Sequence, residues 1–249
     1  MTKTLILIPS RMAATRLPGK PLLKINNLSI VSHVFKRAEE ANIGEVVVAT
    51  EDQEILADVF KNGGRAILTN KDHKTGTDRI FEAYKKLDIK NVDYILNLQG
   101  DEPDINKDDI VNLNNFMIEY QAEFGTLAAK IKNDKILSNK NVVKVITQSK
   151  LRENNFPEAL NFTRDNLSTI SQNIYHHIGI YSYKISILEK FISLKQTNNE
   201  KEKKLEQLRA LDNNLKINVA LAKSSPIGVD TEEDYLAIKK IMEYKIKDE

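Results

Sequence analysis

Short apolar runs alternate with amphipathic segments through the first hundred residues of the chain. The apolar runs have the length of buried strands, and the segments between them repeat their apolar residues with the period of a helix. This alternation predicts an α/β fold with a predominantly parallel central sheet flanked by helices, joined by right-handed crossovers. The strands are predicted at 4–9, 45–50, 65–68 and 93–98, and the helices at 30–41, 53–62 and 78–87.

The pattern is less regular in the second half, where polar loops separate the apolar runs. The last predicted helix has Thr231 at its start and Asp234 three residues later, which is the arrangement of a capping box. No repeat or interdomain linker interrupts the chain, so a single domain over residues 1–249 is expected. Strands are predicted at 126–131, 142–147, 160–164, 174–183 and 217–222, and helices at 185–194, 200–212 and 231–245.

Composition narrows the possible classes of function. The 249 residues are 41% hydrophobic, enough for a sizeable core, and 37 Lys and Arg against 35 Asp and Glu leave a net charge of only +2. That balance argues against nucleic acid as a partner. The absence of cysteine excludes disulfides, Cys-ligated zinc and thiol catalysis. The first apolar run, 5–8, is too short for a signal sequence or a membrane span, so a soluble cytoplasmic protein is expected.

The loop after the first predicted strand carries three fixed cations. Arg11, Arg16 and Lys20 lie around the turn formed by Pro18 and Gly19, and such cations together with loop N–H groups can wrap a polyphosphate. Ligands of parallel α/β sheets bind at this edge, at the carboxyl ends of the strands. The loop is not a Walker A motif. A solvated basic turn is the plainer alternative.

Two carboxylates have the setting of metal ligands. Asp101 follows the fourth predicted strand on a glycine-assisted turn, and oxygen ligands of this kind suit Mg²⁺. A helix-entry turn is the alternative for Asp101. Asp230 directly precedes the last helix, where N-capping is the alternative, although Thr231 can take that role.

A third polar segment, DHKTGTDR at 72–79, precedes a predicted helix. Small hydroxyl residues around Gly76 let the backbone approach a planar base, and Arg79 offers fork-shaped donors. A helix start capped by Thr75, with Arg79 in solvent, is an equal alternative.

Together these motifs resemble those of the CMP-KDO synthetases (3-deoxy-manno-octulosonate cytidylyltransferases), a family of sugar-acid cytidylyltransferases. The segment IPSRMAATRLPGKP at 8–21 is similar to the family's IPARxxSTRLPGKP, and NLQGDEP at 97–103 to its NxQGDEP. GVDTEED at 228–234 and the segment 72–79 resemble its GVDTPED and DHxSGTDR. The resemblance covers essentially the whole chain. It implies a Rossmann-like nucleotidyltransferase fold with a small dimerisation extension at about 150–185, and hence a homodimer.

The resemblance also implies roles for individual residues. Asp101 and Asp230 would bind Mg²⁺ and, with Arg11 and Lys20, form the catalytic group. Ala14 stands where the family usually has Ser, which removes a hydroxyl contact to the triphosphate worth about 1 kcal/mol. The residues expected to bind CTP are Ser10, Arg11, Arg16, Lys20, Thr75, Gly76, Arg79 and Gln99.

The assignment of residues that bind the sugar acid depends more on the family resemblance than the assignment of the CTP-binding residues does. FTR at 162–164 resembles its FSR, in which the arginine meets the sugar acid's carboxylate, although the loop after Arg164 lacks the Ile-Pro often seen in relatives. Without the resemblance, a strand histidine is a structural residue and Glu206 and Gln207 are surface residues. With it, the expected contacts of the acid are Arg164, His177, Tyr181, Glu206 and Gln207.

The implied activity is CTP-dependent activation of KDO, yielding CMP-KDO and pyrophosphate for lipopolysaccharide biosynthesis. The segment 17–21, LPGKP, argues against sialic-acid activators. Two alternatives remain open: a cytidylyltransferase for a related acid such as 8-amino-KDO, and a non-catalytic nucleotide-binding regulator.

Overall fold

The computed structural model describes residues 2–13, 16–131, 133, 135–167 and 173–245. Ala14, the expected departure from the family loop, lies outside the described residues. The chain folds into two compact units. Unit 1 comprises residues 3–110 together with the segment from Pro226 onward, and unit 2 comprises residues 111–225.

The elements of the described residues largely follow the predicted alternation. The strands are β1 (Thr4–Ser10), β2 (Lys24–Ile25), β3 (Leu28–Ser29), β4 (Gly44–Thr50), β5 (Ala66–Leu68), β6 (Tyr94–Asn97), β7 (Phe124–Ala129), β8 (Lys144–Thr147), β9 (Ala159–Thr163), β10 (Ile174–Lys184) and β11 (Asn218–Leu221). The helices are α1 (Ile30–Glu40), α2 (Gln53–Lys61), α3 (Gly76–Leu87), α4 (Lys107–Glu119), α5 (Lys135–Ser138), α6 (Ile185–Ser193), α7 (Asn198–Lys203), α8 (Leu208–Asp212) and α9 (Glu232–Lys245), with a 3₁₀ turn at Lys20–Leu22.

Unit 1 is built on a parallel sheet. Its strands run in the order β6-β1-β4-β5, and Leu7 at the centre of β1 lies opposite Val47 on one side and Asn97 on the other. The side chains of Leu5 to Ile8 are fully buried, as the continuous apolar run requires of a strand covered on both faces. Helices α1 and α3 pack against β1 and β4. The predicted α/β class with a mostly parallel sheet is confirmed.

A small second core fixes the returning segment of unit 1. Val229, Ile238 and Met242 pack with Ile25 and Ile30, so one face of α9 is buried against the β2–β3 hairpin and the start of α1. Tyr235 adds a hydrogen bond from its hydroxyl to the carbonyl of Lys24, at 2.7 Å. The loop that precedes α9 is thereby held in a defined place.

Unit 2 is a mixed structure. Strand β7 is parallel to β11 and antiparallel to β10, while β8 pairs with β9 and β10 in antiparallel fashion. Phe124, Tyr183 and Phe191 form its aromatic centre, with the first two ring centroids 4.4 Å apart. The β7–β10 register shifts between Ile178 and Tyr181, so β10 contains an irregularity beside His177.

Two predicted features differ from the structure. The pattern analysis placed no helix at α4, although Ile110, Leu113 and Met117 are buried along it. The single helix predicted over 200–212 is two helices, because Lys204 adopts a left-handed conformation (φ 54°) and ends α7.

None of the helices in the described ranges combines the length and apolar content that crossing a membrane requires. The single domain and the dimer-facing extension remain predictions.

Candidate active site

The carboxyl ends of β1 and β6 open into a pocket of about 330 Å³ in unit 1. The returning segment before α9 supplies Asp230 to the same pocket. The expected CTP-binding and metal-binding residues are thus brought together. The pocket is lined by Pro9, Ser10, Arg11, Ala13, Arg16, Lys20, Pro21, Thr75, Gly76, Arg79, Gln99, Gly100, Asp101 and Asp230.

Backbone hydrogen bonds hold the first loop in a compact form. The Met12 N–H donates to the Asp52 carboxylate (2.7 Å), and the Gly19 N–H donates to the Met12 carbonyl (3.4 Å). Gly19 has φ 71°, a left-handed conformation that favours glycine, and the 3₁₀ turn begins directly after it. This turn places Lys20, only 14% exposed, in the pocket wall, whereas Arg16 stays 58% exposed.

The two expected metal ligands converge on one ammonium group. The Lys20 Nζ lies 2.7 Å from Asp101 Oδ2 and 3.5 Å from Asp230 Oδ1, and Arg16 Nη2 lies 3.0 Å from the same Asp230 oxygen. The Val229 N–H donates to the Asp101 carbonyl (2.9 Å) and so joins the two loops. The carboxylates therefore face the pocket together with two cations that neutralise them.

Neither carboxylate serves as a helix cap. Thr231 accepts a hydrogen bond from the Asp234 N–H (3.2 Å), and the Asp234 carboxylate accepts from the Thr231 N–H (2.9 Å), which completes the predicted capping box of α9. Asp101 lies well before the start of α4 at Lys107. The capping alternative for Asp230 is therefore wrong, whereas Asp101 lies in the turn between β6 and α4 without capping the helix.

Close packing shapes the pocket floor. A side chain on Gly100 would bring its Cβ to 2.9 Å from the Pro9 carbonyl oxygen, so the turn after β6 can approach the end of β1 only with glycine there. Beside it, the Ser10 hydroxyl is buried in the pocket wall and has no hydrogen-bond partner among the described residues. A buried hydroxyl left unpaired costs free energy, so it marks a position where a bound polar group would be stabilised.

A further acidic group lies next to Asp101. Glu102 is buried, and within the described part of the chain its Oε2 has no hydrogen-bond partner. Burial, followed by the Asp101 charge, raises its pKa to about 8. The carboxyl is therefore mostly protonated at neutral pH. It adds little negative charge beside Asp101.

The side chains of Thr75 and Arg79 already form hydrogen bonds within the protein. Thr75 forms a capping box with Asp78 at the start of α3, as the capping alternative expected. Arg79, expected in solvent under that alternative, is instead buried, bonded to the Glu51 carboxylate and to the Thr69 hydroxyl (2.6 Å). Both residues still line the pocket. Their contact with a nucleotide remains a prediction.

The expected acceptor residues lie in unit 2, around the irregularity of β10. His177 is buried beside Phe162 and Tyr181, with ring centroids 5.0 and 5.5 Å away. The Thr126 hydroxyl lies 2.7 Å from the Ile180 carbonyl and 3.0 Å from His177 Nε2. Because the hydroxyl has one hydrogen, which the carbonyl accepts, the Nε2 of His177 acts as the donor and Nδ1 as an acceptor.

Burial keeps this histidine neutral. Desolvation, with smaller contributions from His176 and Arg164, lowers the pKa of His177 to about 3, and desolvation together with Glu206 raises the pKa of Tyr181. Arg164 thus acts electrostatically on both rings, and Glu206 acts on Tyr181. These four expected acceptor residues form one polar group in unit 2.

The last two acceptor residues precede α8. Glu206 lies 3.4 Å from Arg209 Nη2, and Arg209 is held by a buried bidentate pair with Glu200 at 2.6 and 2.9 Å. Gln207 is only 5% exposed, so the interpretation of it as a surface residue is wrong. The helix break at Lys204 turns this segment inward, which a continuous helix pattern does not predict.

The chain is similar to known proteins over nearly its whole length. Residues 5–217 match a family model described as cytidylyltransferase. Relatives named 3-deoxy-manno-octulosonate cytidylyltransferase from Nitrobacter hamburgensis and Rhodopseudomonas palustris are 44% and 45% identical, and each alignment covers 97% of this chain and 93% or 98% of the relative. The chain belongs to the 3-deoxy-manno-octulosonate cytidylyltransferase family.

Solved structures agree with this membership. A CMP:2-keto-3-deoxy-manno-octonic acid synthetase, complexed with CTP, is 32% identical to this cytidylyltransferase, with a TM-score of 0.88 over 98% of this chain and 100% of that one. A UDP-glucose pyrophosphorylase at 17% identity has a TM-score of 0.73 over 98% of this chain and shares the fold alone. The Rossmann-like nucleotidyltransferase fold expected from the sequence is confirmed.

The donor set of the pocket suits a hard divalent cation. No group of three or more His, Cys, Asp or Glu side chains forms a metal cage within the part of the chain that the structure describes. Asp101 and Asp230 supply two carboxylates to one point, and Mg²⁺ is commonly held by one or two carboxylates, with substrate phosphates and water completing its shell. The residues present therefore fit Mg²⁺.

Several residues that shape the two groups were not singled out from the sequence. Asp52, Glu51 and Thr126 hold the first loop, Arg79 and His177 respectively. They lie in ordinary strand or loop contexts, and nothing in the pattern marks them. Lys144 is different, because a lysine inside the apolar run VVKVI at 142–146 is a visible departure from the strand pattern.

Proposed function

We propose that the chain transfers the cytidylyl group of CTP to the anomeric hydroxyl of 3-deoxy-manno-octulosonate, with release of pyrophosphate. The observation that carries the proposal is the convergence of the three loop cations with Asp101 and Asp230 at one pocket. Membership of the family and the CTP complex of its relative support the same reaction.

The triphosphate would lie in the unit 1 pocket. Arg11, Arg16 and Lys20 would bind its oxygens and stabilise the charge that develops on the leaving pyrophosphate. The unpaired Ser10 hydroxyl and the Gln99 amide would contact the nucleotide. Arg79 would contribute mainly by holding the pocket wall, since Glu51 and Thr69 already use its donors.

Asp101 and Asp230 would hold Mg²⁺. When bound, the ion neutralises phosphate charge and lowers the pKa of the attacking hydroxyl. The two carboxylates already share the Lys20 ammonium, so a divalent cation and this ammonium compete for the same oxygens. Release from Asp101 would free Lys20 to bind phosphate.

The sugar acid would be recognised by the polar group of unit 2. The Arg164 guanidinium suits a planar carboxylate, and His177 Nδ1, Glu206 and Gln207 suit hydroxyl groups. Because His177 stays neutral and Tyr181 stays protonated, neither changes charge near neutral pH. Recognition of the acid would therefore be insensitive to these two groups between about pH 6 and 8.

The reaction needs no covalent enzyme intermediate. The anomeric oxygen forms a bond to the α-phosphorus in line with the departing group. The bond from that phosphorus to the oxygen bridging to the β-phosphorus breaks, pyrophosphate leaves with the electron pair, and the hydroxyl proton passes to solvent.

We also propose that the protein acts in the cytoplasm as a homodimer.

Pyrophosphate release tests the proposal. The purified chain is incubated with CTP and Mg²⁺, with 3-deoxy-manno-octulosonate, 8-amino-KDO, sialic acid or no acceptor. Release that depends on 3-deoxy-manno-octulosonate is expected. Preference for another acid would retain the chemistry and change the substrate. A folded chain that binds CTP but releases no pyrophosphate with any acid would contradict enzymatic activity and favour the regulator.

Asp101→Asn tests the metal role. The amide keeps the shape but loses the charge that attracts Mg²⁺, so kcat should fall at least ~100-fold, equivalent to roughly 3 kcal/mol. Asp88→Asn is the matched control, because Asp88 is exposed and pairs with Lys90 on the surface. Near-normal turnover of Asp101→Asn, with an unchanged Mg²⁺ dependence, would remove Asp101 from the metal site.

A further inference from the structure

A lysine is completely buried in unit 2, within the strand next to the candidate acceptor group. Lys144 lies on β8, opposite Thr163 of β9 and His176 of β10, and its side chain is 0% exposed. Lysine is rarely buried without a partner, because its ammonium loses hydration. The position therefore has a specific reason, and it is not used by the reaction described above.

The ammonium of Lys144 joins two loop segments. Its Nζ donates to the backbone carbonyls of Asn139 and Arg164, each at 3.1 Å. The carbonyl of Arg164 belongs to the residue expected to bind the acid's carboxylate. Lys144 thus fixes the backbone from which that guanidinium extends.

The guanidinium returns to the same loop. Arg164 Nη1 donates to the carbonyl of Asn141 at 2.8 Å, two residues from the Asn139 carbonyl that Lys144 holds. The two side chains therefore link the 139–141 loop to the end of β9 from both directions. A guanidinium has five N–H donors, so it can keep this bond and still bind a carboxylate.

Oxygen atoms around Lys144 and Arg164 stabilise the two cations in this arrangement. Burial lowers the pKa of Lys144, while the nearby Asp165 carboxylate opposes that effect. Asp165 is itself held by the Thr163 hydroxyl at 2.7 Å. Arg164 and Lys144 repel each other, so the carbonyl and carboxylate oxygens around them are needed to keep two cations this close.

We propose that Lys144 is a positioning residue for the sugar-acid site: its buried ammonium holds the Arg164 backbone and the 139–141 loop so that the guanidinium is oriented toward the acid's carboxylate. This inference rests on the proposed function, in which Arg164 binds the acid. It concerns only the acceptor half of the reaction.

Steady-state kinetics of Lys144→Met test the inference. Methionine fills much of the same volume but donates no hydrogen bond. The KM for 3-deoxy-manno-octulosonate should rise about tenfold, because small displacements of an orienting group are costly. The KM for CTP should stay within about twofold, since it reports the pocket of unit 1.

The matched control is Lys216→Met in the same unit. Lys216 is 74% exposed and pairs with Glu158 at 2.7 Å on the surface. This variant should leave both KM values unchanged. Circular dichroism and thermal unfolding of both variants separate a local effect from loss of the fold.

Three outcomes decide the question. A folded Lys144→Met protein with an unchanged KM for the acid, or with equal losses for both substrates, would overturn the positioning role. If methionine prevents folding, Lys144→Leu gives the same comparison, because leucine is apolar and also donates no hydrogen bond; a folded leucine variant with an acid KM equal to that of the wild type would again overturn the positioning role. Absence of turnover in the wild type would instead contradict the proposed function.

Discussion

At the residue scale, the proposed function gives Lys20 two roles, one toward the two carboxylates and one toward the triphosphate. Its ammonium pairs with Asp101 and approaches Asp230, yet its place in the first loop suits a triphosphate. Under the proposed function, a divalent cation would displace it from the carboxylates. Nucleotide binding and metal binding should therefore assist each other, since phosphate oxygens offer the displaced ammonium a new partner.

Lys20→Met isolates this competition. Without CTP, the variant should bind Mn²⁺ about tenfold more tightly than the wild type, because no ammonium competes for the two carboxylates. Its affinity for CTP should fall. Titration by electron paramagnetic resonance of free Mn²⁺ measures the first effect, with Lys24→Met as a control at the exposed position of β2. Equal Mn²⁺ affinity in the variant and the wild type would show that Lys20 does not compete with the metal ion for the two carboxylates.

Arg79 lines the candidate pocket and also forms a buried ion pair with Glu51. Its side chain is 3% exposed and its partner Glu51 is 13% exposed. Arg79→Met leaves the Glu51 carboxylate without its partner, so the free energy of unfolding should fall by about 3 kcal/mol. Urea denaturation measures the loss. The double variant with Glu51→Gln should recover part of it, and a single variant as stable as the wild type would contradict the structural role.

At the scale of single elements, the capping box of α9 positions a functional side chain. Thr231 caps the helix, which leaves Asp230 directed to Lys20 and Arg16. Thr231→Val removes the hydroxyl and should cost about 1 kcal/mol of stability. It should also weaken Mn²⁺ binding in the presence of CTP several-fold, because the backbone at Asp230 loses its anchor.

The chain contains its own control for this prediction. Thr197 forms the same kind of capping box with Glu200 at the start of α7. Thr197→Val should lose similar stability and keep wild-type Mn²⁺ affinity. If both variants weaken the metal equally, the effect belongs to general destabilisation and not to the position of Asp230.

Elements with strong patterns were predictable, and those with mixed signals were not. The β1 run and the helix over Ile30–Glu40 follow apolar periodicity closely, so their existence and place agree with the structure. Helix α4 was not predicted, because it contains three asparagines, which are poor helix formers, and its apolar positions alone do not give a clear helical pattern. The break at Lys204 depends on a left-handed backbone that no glycine signals.

At the scale of the whole molecule, sequence motifs predicted which residues meet but not what holds them. The loop cations and Asp101 follow strands of one parallel sheet, so topology alone brings them to one edge. The Arg79 partner Glu51 follows β4 and lies 28 residues away, and the His177 partner Thr126 lies on β7, 51 residues away. At such separations, sequence spacing carries no signal. The family resemblance supplied the expected acceptor residues, and the structure adds the direction of the pKa shifts of His177 and Tyr181 and the contact between their rings.

The discontinuity of unit 1 also matters for how the protein is made. Asp101 is joined by its carbonyl to the Val229 N–H, yet ribosomes add about 5–20 residues per second, so Asp230 follows Asp101 by roughly 6–26 s. During that interval unit 2 is synthesised, while Lys20 is already present as a counter-ion for Asp101. The nascent chain therefore carries a neutralised half-site, and the carboxylate pair is complete only after the returning segment has emerged.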